Sequence, residues 1–298
     1  MSDPVVVDHV TKRFAGHTAV DALSLSVSSG NIYGLLGPNG AGKTTTLRMI
    51  MDIYEPDSGS VRLFDQIGGG RTHSARIGYL PEERGLYLRM RVLDVLVYLA
   101  EVKGVSRRSA RLKAVEWLER LGLTAWRMRK VSDLSKGMQQ KVQFISTVLH
   151  DPDLVILDEP FSGLDPVNSQ VLRDTVVDYR RRGKTVLFST HIMEHAEQLC
   201  DRLCIIARGR KLVDGTLAEV KSTHAANTSS SRSTAAKAAR SRSSRTGGSW
   251  RRSRTSANRR SSSSRRGPTR RRSSRRSSVR ERGSRASSSR VHHSTRSS

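Results

Sequence analysis

The sequence has few cysteines, few aromatic residues and no long apolar run. Its 298 residues include two cysteines, Cys200 and Cys204, and 5% aromatic residues. Because the sequence has no second pair of cysteines to complete a metal site, we expect Cys200 and Cys204 to be buried as small hydrophobic residues. The longest hydrophobic stretch, residues 92–100, contains Asp94 and is shorter than the roughly 18 apolar residues of a membrane-spanning helix. The first residues lack the basic and apolar segments of a secretory signal, so we expect a cytoplasmic domain.

Acidic residues are almost absent from the C-terminal quarter of the chain. Residues 222–298 carry 22 of the 53 Lys and Arg residues but a single acid, Glu281, and no Leu, Ile, Phe, Met or Tyr. Such a segment cannot offset its chain entropy by apolar burial, so we predict a Ser/Arg-rich disordered tail over 222–298. Residues 1–221 are nearly balanced in charge and rich in Val, Leu and Ile, which predicts one globular domain.

Within residues 1–221, short aliphatic runs alternate with amphipathic segments. We predict a helical insert at about 85–150, in which Ser106 caps a helix over 107–121 that ends at Gly122. Asp165 and Pro166 are expected to begin a later helix. The alternation favours a mostly parallel α/β sheet. Strands are expected at 5–10, 23–27, 32–36, 61–64, 77–80, 154–157, 185–189 and 203–207. Residues 37–46 are expected to lead into a helical pattern that continues through 53, and further helices are expected at about 166–182 and 192–199.

A glycine-rich segment directly follows the predicted strand at 32–36 and leads into a helix. It fits the pattern G-x-x-x-x-G-K-[ST], in which glycines let backbone N–H groups wrap phosphates. Lys43 would reach the β- and γ-phosphate oxygens, and the Thr44 hydroxyl would bind Mg²⁺. The alternative is a glycine-rich turn with a chance lysine. Such a turn need not lie between a strand and a helix, so the context of this segment favours nucleotide binding. The candidate nucleotide-binding residues here are Gly37, Asn39, Gly40, Gly42, Lys43, Thr44 and Thr45.

Two acidic residues follow the buried strand predicted at 154–157. Asp158 and Glu159 would lie at the carboxyl edge of the sheet, where open α/β sheets bind ligands. Asp158 would hold Mg²⁺, and Glu159 would polarise the water that attacks the γ-phosphate. An isolated acidic pair at a strand end is often only a solvated surface. The preceding phosphate loop favours the catalytic interpretation.

With these motifs, residues 1 to about 220 resemble the ATPase subunits of ATP-binding cassette (ABC) transporters. The segment LSKGMQQ at 134–140 resembles the family signature, and SGLD at 162–165 is similar to the D-loop. His191 matches the switch histidine, and Phe14 lies where an aromatic residue stacks on adenine. The resemblance implies an α/β P-loop NTPase fold, with a RecA-like core, an antiparallel β-subdomain and a helical subdomain.

The resemblance also implies a head-to-tail dimer that sandwiches two ATP molecules and drives an integral membrane permease subunit from the cytoplasmic face of the plasma membrane. Ser135 and Gly137 of one ATP-binding subunit would contact the γ-phosphate held by the other. Asp165 would couple the two sites, and His191 would hold the γ-phosphate and the water. Whether the dimer is homo- or heteromeric stays open.

One position departs from the usual family pattern. Members of the family usually carry Gln where this chain has Glu82, in the loop that joins the sheet core to the helical insert. This variant, together with the Lys-Gly-Met signature, resembles a subgroup of ABC-2 type exporters that includes sodium-efflux ATPases. A carboxylate at Glu82 can still contact Mg²⁺ or its water, so Glu82 is a further candidate metal residue.

The basic tail leaves two interpretations open. As an electrostatic arm it would contact nucleic acid or anionic lipid, and the chain would then be a soluble ABC ATPase acting on nucleic acid or ribosomes. Alternatively, its abrupt Ser/Arg bias results from a frameshift that replaces a folded C-terminal domain. We favour the second interpretation, because a Ser/Arg bias with almost no acidic or aliphatic residues is what out-of-frame reading of a GC-rich gene would give. Against the soluble ATPase, the chain has one cassette rather than two in tandem and no long coiled-coil insert.

Overall fold

The computed structural model describes residues 3–83 and 85–222, so all of the predicted tail except Ser222 lies outside the described residues. The elements follow the predicted alternation of strands and helices. In chain order they are β1 (Val5–Phe14), β2 (His17–Val27), β3 (Ile32–Leu36), α1 (Lys43–Ile50), β4 (Ser58–Leu63), β5 (Gln66–Ile67), β6 (Ile77–Leu80), α2 (Val92–Val102), α3 (Arg107–Arg120), α4 (Lys136–Val148), β7 (Leu154–Asp158), α5 (Pro166–Arg181), β8 (Thr185–Thr190), α6 (Met193–Leu199), β9 (Arg202–Ala207) and β10 (Arg210–Thr216).

A six-stranded sheet forms the centre of the fold, in the order β10-β9-β3-β8-β7-β6. Its pairs are parallel except for the β9–β10 hairpin. Strands β3, β7 and β8 are buried along their whole length, as expected for parallel strands that are covered on both faces. The predicted α/β class is therefore confirmed, and the carboxyl ends of these three strands meet at one edge.

A second, antiparallel sheet has the order β2-β1-β4-β5. Its inner face shares one apolar cluster with α1 and the central strands, including Val7, Leu25, Leu47 and Ile156. Helix α1 therefore packs between the two sheets, and the loop that precedes it is held from both sides. This is the antiparallel subdomain that the resemblance implies.

Helices α2, α3 and α4 form the predicted helical insert, and their apolar cluster continues into one face of the central sheet and α5. Ser106 caps α3 by accepting a hydrogen bond from the Ser109 N–H, and Gly122 follows the helix with φ of 70°. Asp165 likewise caps α5. None of the helices within 3–83 and 85–222 is long and apolar enough to cross a bilayer.

Several predicted boundaries differ from the structure. Strand β1 continues to Phe14 and β2 begins at His17, and the short strand β5 was not predicted. Helix α1 ends at Ile50 rather than near 53, because Asp52 takes a left-handed φ of 58° and the Ile53 N–H turns back to the Arg48 carbonyl. Strand β10 was not predicted, since its polar sequence gains order from pairing with β9. Cys204 is buried as expected, whereas Cys200 is only partly buried.

Candidate functional site

A cavity of about 470 Å³ opens at the carboxyl edge of the central sheet, where the loop after β3 lies beside the end of β7. It brings together most of the residues predicted from the phosphate-loop pattern. Two acids also line it: Glu159, which follows β7, and Glu82, in the loop that joins the sheet core to the helical insert. Its lining residues are His17, Ala19, Asn39, Gly40, Ala41, Gly42, Lys43, Thr44, Thr45, Glu82 and Glu159.

The loop before α1 has the backbone that a phosphate-binding loop requires. Gly40 and Gly42 have φ of 77° and 105°, a region that other residues seldom adopt. A Cβ at Gly42 would lie 2.5 Å from the Ala19 carbonyl oxygen, so only glycine fits beside β2. Lys43 is 5% exposed, and its Nζ donates to the Gly37 carbonyl at 2.8 Å. The Lys43 side chain therefore spans the phosphate loop from α1 to Gly37.

Asp158 ends β7 and is completely buried. The register places it opposite Ser189 on β8, whose hydroxyl donates to Asp158 Oδ1 at 2.5 Å. Asp158 Oδ2 is buried and has no hydrogen-bond partner among the described residues. Burial raises the pKa of Asp158, and the hydroxyls of Ser189 and Thr44 oppose that rise.

Glu159 is the point at which the charged groups of the cavity converge. Its φ is 48°, which turns the chain sharply after β7, and its N–H donates to the Ser189 hydroxyl at 3.0 Å. Glu159 Oε1 lies 3.3 Å from Lys43 Nζ and 3.0 Å from His191 Nδ1. A nearly buried carboxylate therefore contacts a lysine from one side and a histidine from the other.

These groups fit a magnesium nucleotide. Mg²⁺ usually takes one or two protein oxygens and completes its shell with phosphate and water. Asp158 Oδ2 offers such an oxygen, since it is buried without a hydrogen-bond partner among the described residues, and the Thr44 hydroxyl also faces Asp158. Within the described residues no three His, Cys, Asp or Glu side chains converge as a self-sufficient metal site. A metal held here would need the oxygens of a bound ligand.

Three residues predicted to bind nucleotide lie away from this cavity. Ser135 is exposed and caps α4, accepting from the Met138 N–H at 3.3 Å. A Cβ on Gly137 would lie 3.7 Å from Leu164, next to the exposed Asp165 that caps α5. The signature and D-loop segments thus adjoin each other on the surface, and neither lines the cavity.

Phe14 also lies outside the cavity lining, although Glu82 belongs to it. The Phe14 ring is 39% exposed and packs edge-on against Tyr54, with ring centroids 5.4 Å apart. Its stacking on adenine stays a prediction. The lining instead includes His17 and Ala19 of β2, which no motif indicated.

Comparisons with known proteins agree with this geometry. A family model described as "ABC transporter" matches residues 20–162. The uncharacterized ABC transporter ATP-binding protein YhaQ of Bacillus subtilis (strain 168) is 51% identical over 217 residues, covering 73% of this chain and 72% of the relative. The Nod factor export ATP-binding protein I of Burkholderia orbicola (strain AU 1054) is 39% identical and covers 71% and 70%.

Among solved structures, one titled "Structure of ATP binding subunit of ABC transporter" superimposes with a TM-score of 0.69 at 29% identity. That match covers 74% of this chain and 93% of the other. A nucleotide-free ATP-binding cassette at 22% identity has a TM-score of 0.65 and supports the fold. With a phosphate loop, a buried acid pair and these similarities, the chain belongs to the ATP-binding proteins of ABC transporters, a family of nucleotide-binding ATPases.

Proposed function

We propose that this chain hydrolyses Mg²⁺-ATP in the cavity described above and, by closing as a dimer on ATP, energises export through a separate membrane permease. One observation carries the proposal. Lys43, Glu159 and His191 converge at 3.0–3.3 Å beside the phosphate loop. A cation, a carboxylate and an imidazole in this arrangement are the groups that phosphoryl transfer to water needs.

The phosphate loop would bind the triphosphate. Its backbone N–H groups and the N-terminus of α1 supply positive potential, and Lys43 would exchange its bond to the Gly37 carbonyl for phosphate oxygens. Thr44, Asp158 and Glu82 are the residues that would hold Mg²⁺ or its waters. The metal would neutralise charge on the transferring phosphoryl group. Asn39, Gly40, Gly42 and Thr45 complete the lining of this wall.

Glu159 would orient and polarise the attacking water. Its carboxylate is held by Lys43 and His191 and its backbone by Ser189, so its position is fixed before a substrate arrives. His191, whose side chain is 44% exposed, can reach a γ-phosphate while it keeps its contact with Glu159. In this arrangement Glu159 would activate the water and His191 would bind the γ-phosphate.

Dimer closure would supply the groups that one chain's cavity lacks. Ser135 and Gly137 lie at the N-terminus of the thirteen-residue helix α4, where backbone N–H groups favour a phosphate. They lie outside their own chain's cavity, as does Asp165. A second ATP-binding subunit would place them on the γ-phosphate, so that only ATP completes the interface.

Export through a permease is supported by the relatives, several of which are named Nod factor export ATP-binding protein I. Proteins of this family work with a membrane permease component, which would hold this chain at the cytoplasmic face of the plasma membrane. Adenine stacking on Phe14 would require that ring to leave Tyr54 or the base to reach it from the cavity.

Two substitutions test the proposed site. Glu159→Gln should keep ATP binding, lower hydrolysis by at least about a hundredfold and accumulate an ATP-bound dimer, measured by filter binding, phosphate release and light scattering. Lys43→Ala should abolish binding. An actively hydrolysing Glu159→Gln protein would refute the role of Glu159.

Affinity purification from native membranes tests the partner. Mass spectrometry of the captured material should identify a multi-span membrane protein. Recovery of ribosomal or DNA-associated proteins in its place would overturn the export proposal.

A further inference from the structure

The tight turn between β9 and β10 lies directly against the nucleotide cavity, although it is distant in sequence from the phosphate loop. Arg208 and Gly209 form its centre with φ of 50° and 76°, in a hairpin where Ala207 pairs with Arg210. A Cβ on Gly209 would lie 2.9 Å from the Ala19 carbonyl oxygen. Glycine therefore allows the turn to approach β2 closely.

The backbone of Gly209 bonds to two different walls of the cavity. Its N–H donates to the Ala41 carbonyl at 3.0 Å, and its carbonyl accepts from the Asp21 N–H at 2.9 Å. Ala41 belongs to the phosphate loop, whereas Asp21 lies two residues after Ala19 on β2. One residue thus joins the phosphate wall to the wall formed by His17 and Ala19.

An ion pair reinforces the same junction. Arg210 Nε donates to Asp21 Oδ2 at 2.7 Å, and an Nη of the same guanidinium lies 2.7 Å from that oxygen. Asp21 belongs to the antiparallel sheet and Arg210 to the central sheet, so the pair ties the two sheets together. Exposed pairs of this kind add little to the free energy of unfolding. We therefore expect this pair to act mainly by fixing the relative position of the two sheets.

We propose that this clasp, meaning residues 208–210 together with Asp21, sets the separation of the two cavity walls and so positions them for ATP. The inference rests on the proposed ATP site. Gly209, Arg210 and Asp21 are positioning residues, because they act through Ala41 and β2. In the described hydrogen bonds and ion pairs the clasp touches neither Glu159 nor His191, so it acts on ATP binding and leaves the hydrolytic step unchanged.

Steady-state hydrolysis by the full chain separates these effects. In Arg210→Ala and in Asp21→Ala we expect the KM for ATP to rise about fivefold while kcat stays within about twofold. Inorganic tripolyphosphate reaches only the phosphate wall. Its inhibition constant against ATP should therefore stay within about twofold of the unaltered protein, which a general loss of structure would not allow.

The charge-reversed pair Asp21→Arg/Arg210→Asp should restore the KM, which makes the test independent of whether either single variant loses stability. Arg76→Ala is the matched control, because Arg76 makes a similarly exposed 2.8 Å pair with Asp153 away from the cavity lining; it should leave the KM unchanged. An unaltered KM in both single variants, a parallel rise of KM and inhibition constant, or no rescue by reversal would each overturn the clasp. A wrong ATP site would give a different result from a wrong clasp, because the unaltered chain would then show no saturable hydrolysis of ATP.

Discussion

Ser189 connects Asp158 and Glu159, the two acids at the end of β7, although it carries no catalytic chemistry of its own. Its hydroxyl donates to Asp158 Oδ1 and accepts from the Glu159 N–H. One buried side chain therefore fixes the position of the proposed metal residue and of the proposed general base. The position can be found only from the register of β7 against β8.

Removing this hydroxyl should slow hydrolysis more than it weakens ATP binding. Ser189→Ala leaves the buried Asp158 carboxylate with one hydrogen bond fewer and frees the turn at Glu159, which should lower kcat about tenfold. Phosphate release at saturating ATP measures this effect. Ser169→Ala, a buried serine on α5, is the control and should retain kcat; equal losses in both variants would count against a specific role for Ser189.

His150 makes stability depend on pH. Burial lowers the pKa of His150 to about 4, its Nε2 lies 3.1 Å from the Ile77 carbonyl, and its Nδ1 is buried without a partner within the described residues. Because the unfolded chain binds the proton first, His150 lowers the free energy of unfolding as pH falls from about 6.5 to about 4. After discounting for partial exposure, the loss should be about 2 kcal/mol.

Urea unfolding at pH 7 and pH 5 measures this dependence. His150→Gln retains a donor for the Ile77 carbonyl but has no proton to gain, so its pH dependence should be flatter. An identical slope in the two proteins would assign the acid sensitivity to other groups.

At the scale of elements, the helical insert packs closely on the central sheet at Gly78. A Cβ there would collide with the Thr147 carbonyl oxygen of α4 and lie 3.1 Å from Pro152. Since α4 begins at the signature segment, the absence of a side chain at Gly78 lets this helix lie directly on β6. The position of the signature thus depends on a glycine outside every motif.

Gly78→Ala should destabilise the chain by about 2 kcal/mol, because the overpacked helix must shift away from β6. Thermal unfolding measures the loss. Gly85→Ala is the matched control, since a Cβ there meets nothing within 4 Å, and its melting temperature should be unchanged. Equal melting temperatures for the two variants would show that α4 can move away from β6 without lowering the stability of the chain.

Most strands and helices could be predicted from the sequence because their local patterns agree with their final environment. The all-apolar run of β7, the Ser106 and Asp165 caps and the phosphate loop each carry a local signal. Strand β10 carries none, since it is ordered by a two-residue turn and by pairing with β9. Ser189, His17 and Ala19 reach the site through sheet register and sheet packing, which depend on residues distant in the chain.

At the scale of the whole molecule, the groups assigned to the γ-phosphate lie on two separate surfaces. The cavity holds the phosphate loop and Glu159, whereas Ser135 and Gly137 are displayed elsewhere on the same chain. A chain alone therefore carries half of each proposed site, and activity should depend on how two chains combine.

Mixing two inactive variants tests this dependence. Lys43→Ala and Ser135→Arg should each abolish hydrolysis, but a dimer of one with the other contains one site with both defects and one intact site. Random pairing should then restore about a quarter of the unaltered rate, since half of the dimers carry one working site of two. Phosphate release from the mixture measures recovery, and a mixture as inactive as its components would exclude sites shared between two copies of this chain.

The position of β3 in the central sheet has a consequence for synthesis of the protein. Strand β3 ends at the phosphate loop, yet its neighbours on both sides are β8 and β9, which are translated about 150 residues later. On the ribosome, the phosphate loop therefore emerges long before the central-sheet neighbours of β3, which are complete only when residues up to 207 have left the exit tunnel. A nascent or prematurely ended chain shorter than this leaves an edge of β3 unpaired, so we expect nucleotide binding to begin only after β8 and β9 have joined the sheet.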